Sequence, residues 1–331
     1  MSSHPPDDGS TLEPRFSIVI PVYRNEASLP ELLATLVDLA ESLPGACELV
    51  FVVDGSPDNS FIALRAALPN MPLPTVLLSH SRNFGSFAAI RTGMEHCRGE
   101  FIAVMAADLQ EPPSLVHEML TRLAGDEADI ALGTRRSRAD GLMTDLASRG
   151  FWALYRRFIV PDMPPGGIDV FACNRRVRDA IASLEESHTS LIGLLFWVGF
   201  RRCVAPYDRQ PRLHGKGSWN LSRKVRYLGD SVFAFSALPI RLLWILGILG
   251  LVTSVGVGLI VFVAYLAGAI AVPGYTALVL IITFFSGLNS LGLGIVGSYV
   301  WRAADNSRGR PQAIVAAVLS FEGTDKGADG I

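Results

Sequence analysis

From Leu242 to Trp301 the chain carries not one Asp, Glu, Lys or Arg. A globular core has no need of so long an uncharged run, whereas a bilayer does. The stretch holds two apolar helices of roughly 20–25 residues each, the length that crosses the hydrocarbon layer. They are expected at about 242–270 and 275–301, with Val272-Pro273-Gly274 as the turn between them. Arg223, Lys224, Arg226 and Arg241 precede the pair, Arg302, Arg308 and Arg310 follow it, and the turn is uncharged. By the positive-inside rule both chain ends then lie in the cytoplasm, below an inner (plasma) membrane crossed twice. A mean hydropathy of +0.34 agrees.

The remainder reads as a soluble unit. A net charge of −2 over 331 residues gives no sign of a nucleic-acid partner. Cys47, Cys97, Cys173 and Cys203 show no metal or disulfide spacing and read as small apolar fillers in a reducing compartment. Residues 1–14 are polar and proline-containing, a disordered leader rather than a secretory signal. Residues 15–208 alternate β-rich runs (RFSIVIPV, CELVFVVD, TVLLSH, EFIAVMAAD, ADIALGTR, GIDVFACN) with helical patterns at Leu29–Leu43, Ser86–His96, Pro113–Leu123 and Arg175–Leu184. That alternation predicts an α/β fold with a mostly parallel sheet and helices on both faces. Residues 209–240 form a basic loop and an amphipathic juxtamembrane segment suited to an anionic membrane surface. Residues 303–331 read as a cytoplasmic tail.

Ligands of such sheets bind at the carboxyl ends of the strands, and there the polar residues gather. Asp54 follows VFVV and suits either ribose hydroxyls or a turn. In VMAADLQEPP, Asp108 and Gln110 share one side if the chain stays extended, and two oxygen ligands suit Mg²⁺ or Mn²⁺. The alternative is a capped strand end. Ser81–Gly85 (SRNFG) offers Arg82, Asn83 and Gly85 to a diphosphate or sugar. In RQPRLHGKGSW, Arg209, Arg212 and Lys216 are placed to clamp phosphate oxygens. Asp169, an acid in an apolar run, requires a cationic partner or a place in the site.

Taken together, IPVYRNE, VVDGSPDNS, SRNFGSFAAIRTGM, ADLQEPP, IDVFACNRRV and RQPRLHGKGSW resemble, in order, the motifs of the polyprenyl-phosphate (dolichyl-phosphate) sugar synthases of glycosyltransferase family 2, over about Phe16–Pro311. The resemblance implies a nucleotide-sugar-binding domain of the A type and inverting transfer of a sugar to polyprenyl (undecaprenyl) phosphate, for cell-envelope glycan modification. It implies that Pro21, Tyr23, Glu26 and Asp54 line the nucleoside pocket and that Asp108 and Gln110 hold Mg²⁺ or Mn²⁺. Arg135, Arg209, Arg212 and Ser218 would meet phosphates, and Asp169 would lie near the anomeric carbon, as a base or as an orienting group. UDP-glucose is the first donor expected, and assembly as a homo-oligomer is open. Three positions depart from the pattern: Arg24, Val53 and Ala106, the last two replacing acids. These departures keep a non-catalytic scaffold or lipid-binding protein as an alternative. A processive polysaccharide synthase is a further one, although the chain lacks a QxxRW motif and additional spans.

Overall fold

Phe16, Ile18, Ile20 and Val22 of the first strand, β1 (Phe16–Val22), face one side of a sheet; Ser17 and Val19 face the other, and all six are buried. A strand covered on both faces has no polar side to present, so its sequence reads as a continuous apolar run. The same holds for β2 (Cys47–Val53), β4 (Phe101–Val104) and β5 (Ile130–Arg135). The computed structural model describes residues 13–136, 156–157, 160–164, 167–184, 190–210, 229, 231–233, 236, 238–268 and 274–324.

The sheet is eight-stranded, in the order β7-β5-β6-β4-β1-β2-β3-β8, with β3 at Thr75–His80, β6 at Val170–Asn174, β7 at Arg202–Tyr207 and β8 at Val315–Phe321. Helices α1 (Leu29–Ser42), α2 (Ser60–Ala67) and α4 (Pro113–Ala124) cover one face through Leu32, Leu36, Leu64, Leu115 and Met119. Helices α3 (Ser86–His96), α5 (Arg175–Ala182) and α6 (Leu191–Trp197) cover the other through Ile90, Met94, Val177, Ile181 and Leu195. Parallel strands β3, β2, β1 and β4 are neighbours in that order. The direction of winding therefore reverses between β1 and β4, where a crevice opens at the carboxyl edge.

Four features differ from the sequence reading. Strand β6 is antiparallel and lies between β4 and β5, which brings its first residues to the same edge as the ends of its neighbours. Helix α6 and strand β7 were not anticipated; β7 carries Pro206, which an edge strand tolerates. The fourth strand stops at Val104, four residues short of Asp108. Lastly, the presumed tail returns as β8 and pairs antiparallel with β3, from Thr75↔Phe321 to His80↔Val315.

Two long helices follow the domain, α7 (Leu238–Leu266, 29 residues) and α8 (Tyr275–Ser307, 33 residues). Among the described residues, no helix is long and apolar enough to cross a membrane. The helical backbone is continuous along each of the two. Gly250 faces Phe285 and Gly292 faces Leu243 where the two helices meet. Trp244, Ile260, Phe284 and Trp301 are exposed. Near the end of α8, the Phe233 ring lies 5.3 Å from that of Tyr299 and 5.0 Å from the Arg302 guanidinium.

Candidate active site

The loop after β1 is joined to the loop after β2. Arg24 takes a left-handed backbone (φ 58°), and its amide donates to Ser56 Oγ at 2.8 Å. The Glu26 amide donates to Asp58 Oδ2 at 3.1 Å, and the Glu26 carboxylate accepts from the Asn59 amide at 3.0 Å and from its side chain at 3.2 Å. Burial raises the Asp58 pKa, but hydrogen bonds from Ser56, Ser60 and the Glu26 amide outweigh it and hold the group below the ordinary aspartate value. Pro21 and Tyr23 are half-buried beside this junction, with the Arg24 guanidinium 5.4 Å from the Tyr23 ring.

Asp54 lies beneath the next loop. It is buried, and its carboxylate accepts from the Phe84 and Gly85 amides at 2.8 Å each, with His80 Nδ1 also at 2.8 Å. His80 Nε2 continues to Thr92 Oγ1 at 3.0 Å, and the Asn83 side chain donates to the Asp54 carbonyl at 3.2 Å. Asp54 thus anchors the SRNFG loop, a role in addition to the place in the nucleoside pocket that the resemblance implies. Gly55 is required beside it. Its φ is 55°, and a Cβ would sit 2.2 Å from the Arg82 carbonyl carbon. The loop in turn presents the Arg82 and Asn83 side chains to solvent, Arg82 stacked 4.0 Å over Phe84.

Across the crevice, the chain after β4 is not extended. Leu109 adopts φ 55°, an uncommon conformation for a residue with a Cβ, and the alternation expected to align Asp108 with Gln110 is lost. Asp108 stays half-exposed. Gln110 is buried, its side-chain oxygen accepting from Arg209 and its carbonyl from the Gln210 amide at 3.0 Å. Gln110 therefore joins the β4 and β7 loops, next to Asp108, with which the resemblance pairs it as a metal ligand.

At the ends of β5, β6 and β7 stands a third group. Arg135 pairs in bidentate fashion with Asp169 (Nη2 to Oδ1 2.6 Å), and the Tyr207 hydroxyl donates to Asp169 Oδ2 at 2.9 Å. Burial, then the charges of Asp169 and Glu111, push the Tyr207 phenol above its ordinary range, so it remains a donor. The cationic partner that Asp169 required is Arg135.

Glu111 lies among these groups. It is 4% exposed, and its Oε2 has no hydrogen-bond partner among the described residues. Burial raises its pKa to about 7, the charges of Asp108 and Asp169 add to this, and Arg209 opposes them. A carboxyl whose folded pKa exceeds its unfolded one keeps its proton longer when folded. Stability is therefore lost as pH rises from the ordinary glutamate range through about 7. Glu111→Gln removes that cost, on the order of 3 kcal/mol above pH 7. The variant, free of metal, is expected to melt higher than the parent at pH 8 and alike at pH 4.5; equal melting at pH 8 would contradict this account.

Asp108 and Asp169 act on Glu111 as like charges and Arg209 as an opposite one, while Arg135 is paired with Asp169. Among the described residues no three His, Cys, Asp or Glu side chains form a ready-made metal site. The hard oxygen donors and the orphaned Oε2 nonetheless fit Mg²⁺ or Mn²⁺, which take a few carboxylates and leave other positions to water and phosphate.

The model of glycosyl transferase family 2 matches residues 17–181. A glycosyltransferase of Synechocystis sp. is 31% identical, the alignment covering 92% of this chain and 96% of the relative. The chain belongs to glycosyltransferase family 2. Two further relatives carry more specific names. The undecaprenyl-phosphate 4-deoxy-4-formamido-L-arabinose transferase of Shewanella sediminis is 34% identical over 94% of each chain. The bactoprenol glucosyl transferase of Shigella phage SfV is 28% identical over 91% of this chain and 98% of its own. The resemblance to polyprenyl-phosphate sugar synthases thus holds along nearly the whole chain.

In this glycosyltransferase the described site residues fall into three groups around one edge of the sheet: Pro21, Tyr23 and Glu26; Asp54 with Arg82, Asn83 and Gly85; and Asp108, Gln110, Arg135, Asp169 and Arg209. Arg212, Lys216 and Ser218 lie outside the described residues. Sequence reasoning passed over Asp58, His80, Glu111 and Tyr207. Glu111 had a visible signal, an acid directly before the proline pair in DLQEPP; Tyr207 had none, because β7 itself was not anticipated.

Proposed function

We propose that this glycosyltransferase moves a sugar from a nucleotide-sugar donor to polyprenyl phosphate, undecaprenyl phosphate in a bacterial cell, with inversion at the anomeric carbon. One observation carries the reading. The links to the long helices both start at the site edge of the sheet, since β7 ends there at Tyr207 and β8 begins there at Val315. An acceptor with a phosphate head and a hydrocarbon tail needs that juxtaposition: a charged site next to chain that enters lipid. The outward apolar side chains of α7 and α8 and the flanking Arg241, Arg302 and Arg308 support a helical hairpin crossing the membrane, with the domain on the cytoplasmic face. The names of the relatives support the acceptor.

The chemistry asks little of a base. A phosphate monoester is close to doubly ionised at neutral pH, its second pKa being about 6. One of its oxygens bonds to the anomeric carbon as the bond from that carbon to the donor diphosphate breaks, and the bonding electrons leave with the diphosphate. Asp169, already held by Arg135 and Tyr207, serves to orient rather than to accept a proton. Arg209, and Arg82 across the crevice, offset charge on the departing diphosphate. A divalent cation held at Asp108 would supply further electrostatic stabilisation of that group.

Purified full-length protein, undecaprenyl phosphate and Mg²⁺ or Mn²⁺ are to be tested against a panel of UDP-glucose, UDP-hexosamines, UDP-galactose, GDP-mannose and an amino-arabinose donor. Lipid-linked sugar is expected from one donor, with UDP-glucose first, and chelation is expected to stop it. No product from any donor would overturn the reading in favour of a non-catalytic scaffold, the alternative that Ala106 and Val53 suggest.

A further inference from the structure

The loop Ser81–Gly85 starts where β3 ends, at His80, and finishes against the first turn of α3. Its first amide, of Ser81, donates to the Ile314 carbonyl at 2.9 Å, just ahead of β8. Beneath the loop, one hydrogen-bonded chain joins three elements: Asp54 after β2, His80 at the end of β3 and Thr92 within α3. All three residues are buried. An ionised Asp54 only accepts, so His80 Nδ1 carries the proton of their 2.8 Å contact. Nε2 is left to the Thr92 hydroxyl at 3.0 Å, which serves as donor or acceptor, and the imidazole is held at both nitrogens. The Phe84 ring stands edge-on to it, 5.5 Å between centroids.

His80 matters through the carboxylate it touches. Oδ1 of Asp54 accepts from both His80 and the Phe84 amide, and Oδ2 accepts from the Gly85 amide. His80 thereby fixes the orientation in which Asp54 meets the two amides that shape the loop. Arg82 and Asn83, the exposed side chains of that loop, lie in sequence between His80 and those amides. We propose that His80 is a positioning residue for the donor: through Asp54 it sets where Arg82 and Asn83 stand, and so governs affinity for the donor's nucleoside diphosphate. In the transferase reading on which this rests, Arg82 offsets charge on that diphosphate. His80, buried under the loop, acts only through its neighbours.

The test is calorimetric titration of the purified full-length protein with UDP and with GDP, followed for whichever the parent binds more tightly. His80→Leu fills the space with an apolar side chain that gives Asp54 no donor. It is expected to weaken nucleotide binding roughly tenfold with circular dichroism unchanged. In His80→Asn the carboxamide nitrogen takes the place of Nδ1, and affinity is expected within about threefold of the parent. His80→Gln, whose nitrogen takes the place of Nε2, is expected to resemble His80→Leu. Hydrogen exchange followed by mass spectrometry is expected to quicken over residues 81–87 in the Leu and Gln variants and not in His80→Asn. Added to Arg82→Ala, His80→Leu is expected to cost less than it does in the parent, because a side chain it positions is already gone. If His80→Leu fails to fold, His80→Gln against His80→Asn decides on the same readouts. Binding by His80→Leu within about twofold of the parent, a His80→Asn no better than His80→Gln, unchanged exchange, or full additivity with Arg82→Ala would each overturn the role of His80 and leave the proposed transfer intact. A parent that binds neither nucleotide would overturn both.

Discussion

Asp108→Ala is expected to lower sugar transfer by on the order of 10³-fold or more, with the protein still folded. The magnitude follows from what the reaction must stabilise. A diphosphate leaving with two or more negative charges gains several kcal/mol from a cation placed beside it, and about 1.4 kcal/mol corresponds to a factor of ten in rate. Asp108 is the half-exposed carboxylate at the crevice, and Ala106 offers no substitute from its own motif. Its side chain accepts from the Gln110 amide at 3.4 Å, at the weak end of such contacts. A melting temperature within a few degrees of the parent is expected to accompany the lost activity, both measured on the same preparation. Turnover within tenfold of the parent would remove Asp108 from the site. Asp108→Asn separates charge from shape: it keeps the side-chain size and an oxygen acceptor, and is expected to lose nearly as much activity.

The same stretch shows where sequence reading succeeds and where it stops. That Asp108 stands at a strand end was legible, because an apolar run ending in acids and then two prolines has few other readings. The conformation of its neighbour Gln110 was not legible. Side-chain alternation holds only while the chain stays extended, and Leu109, a residue with no preference for positive φ, gave no sign of the turn that moves Gln110 inward. The central strands were legible because burial on both faces makes them continuously apolar. β8 escaped for a related reason: its residues alternate between partial burial and exposure on an edge, and nothing local distinguishes such a run from a tail. Its pairing with β3 depends on a contact more than two hundred residues away in sequence, which periodicity does not report. Position β6 was equally hidden, since a strand's direction and neighbours depend on its connections rather than on its composition.

Asp54→Ala provides the test that separates the anchoring role from the nucleoside-contacting role expected of it. The substitution leaves the Phe84 and Gly85 amides and His80 Nδ1 without their acceptor in a buried setting. Hydrogen bonds to an ionised group contribute about 1.5–3 kcal/mol each, and buried donors left unpaired add their desolvation cost. With partial rescue by water at the loop surface, the expected loss is on the order of 3–5 kcal/mol, or a melting temperature lower by roughly 10 °C. Donor affinity should fall as well, because the loop that presents Arg82 and Asn83 is no longer held. Arg82→Ala is the matched comparison: among the described residues its exposed side chain is bonded to the Asn83 carbonyl and stacked on Phe84, within its own loop, so it should weaken the donor without shifting the melt. If Asp54 instead contacted the nucleoside directly, Asp54→Ala would behave like Arg82→Ala, with donor affinity reduced and stability unchanged. The two roles thus predict opposite melting curves for one variant. The buried position of the carboxylate, with Gly55 allowing the backbone of the neighbouring loop to close over it, favours the large shift.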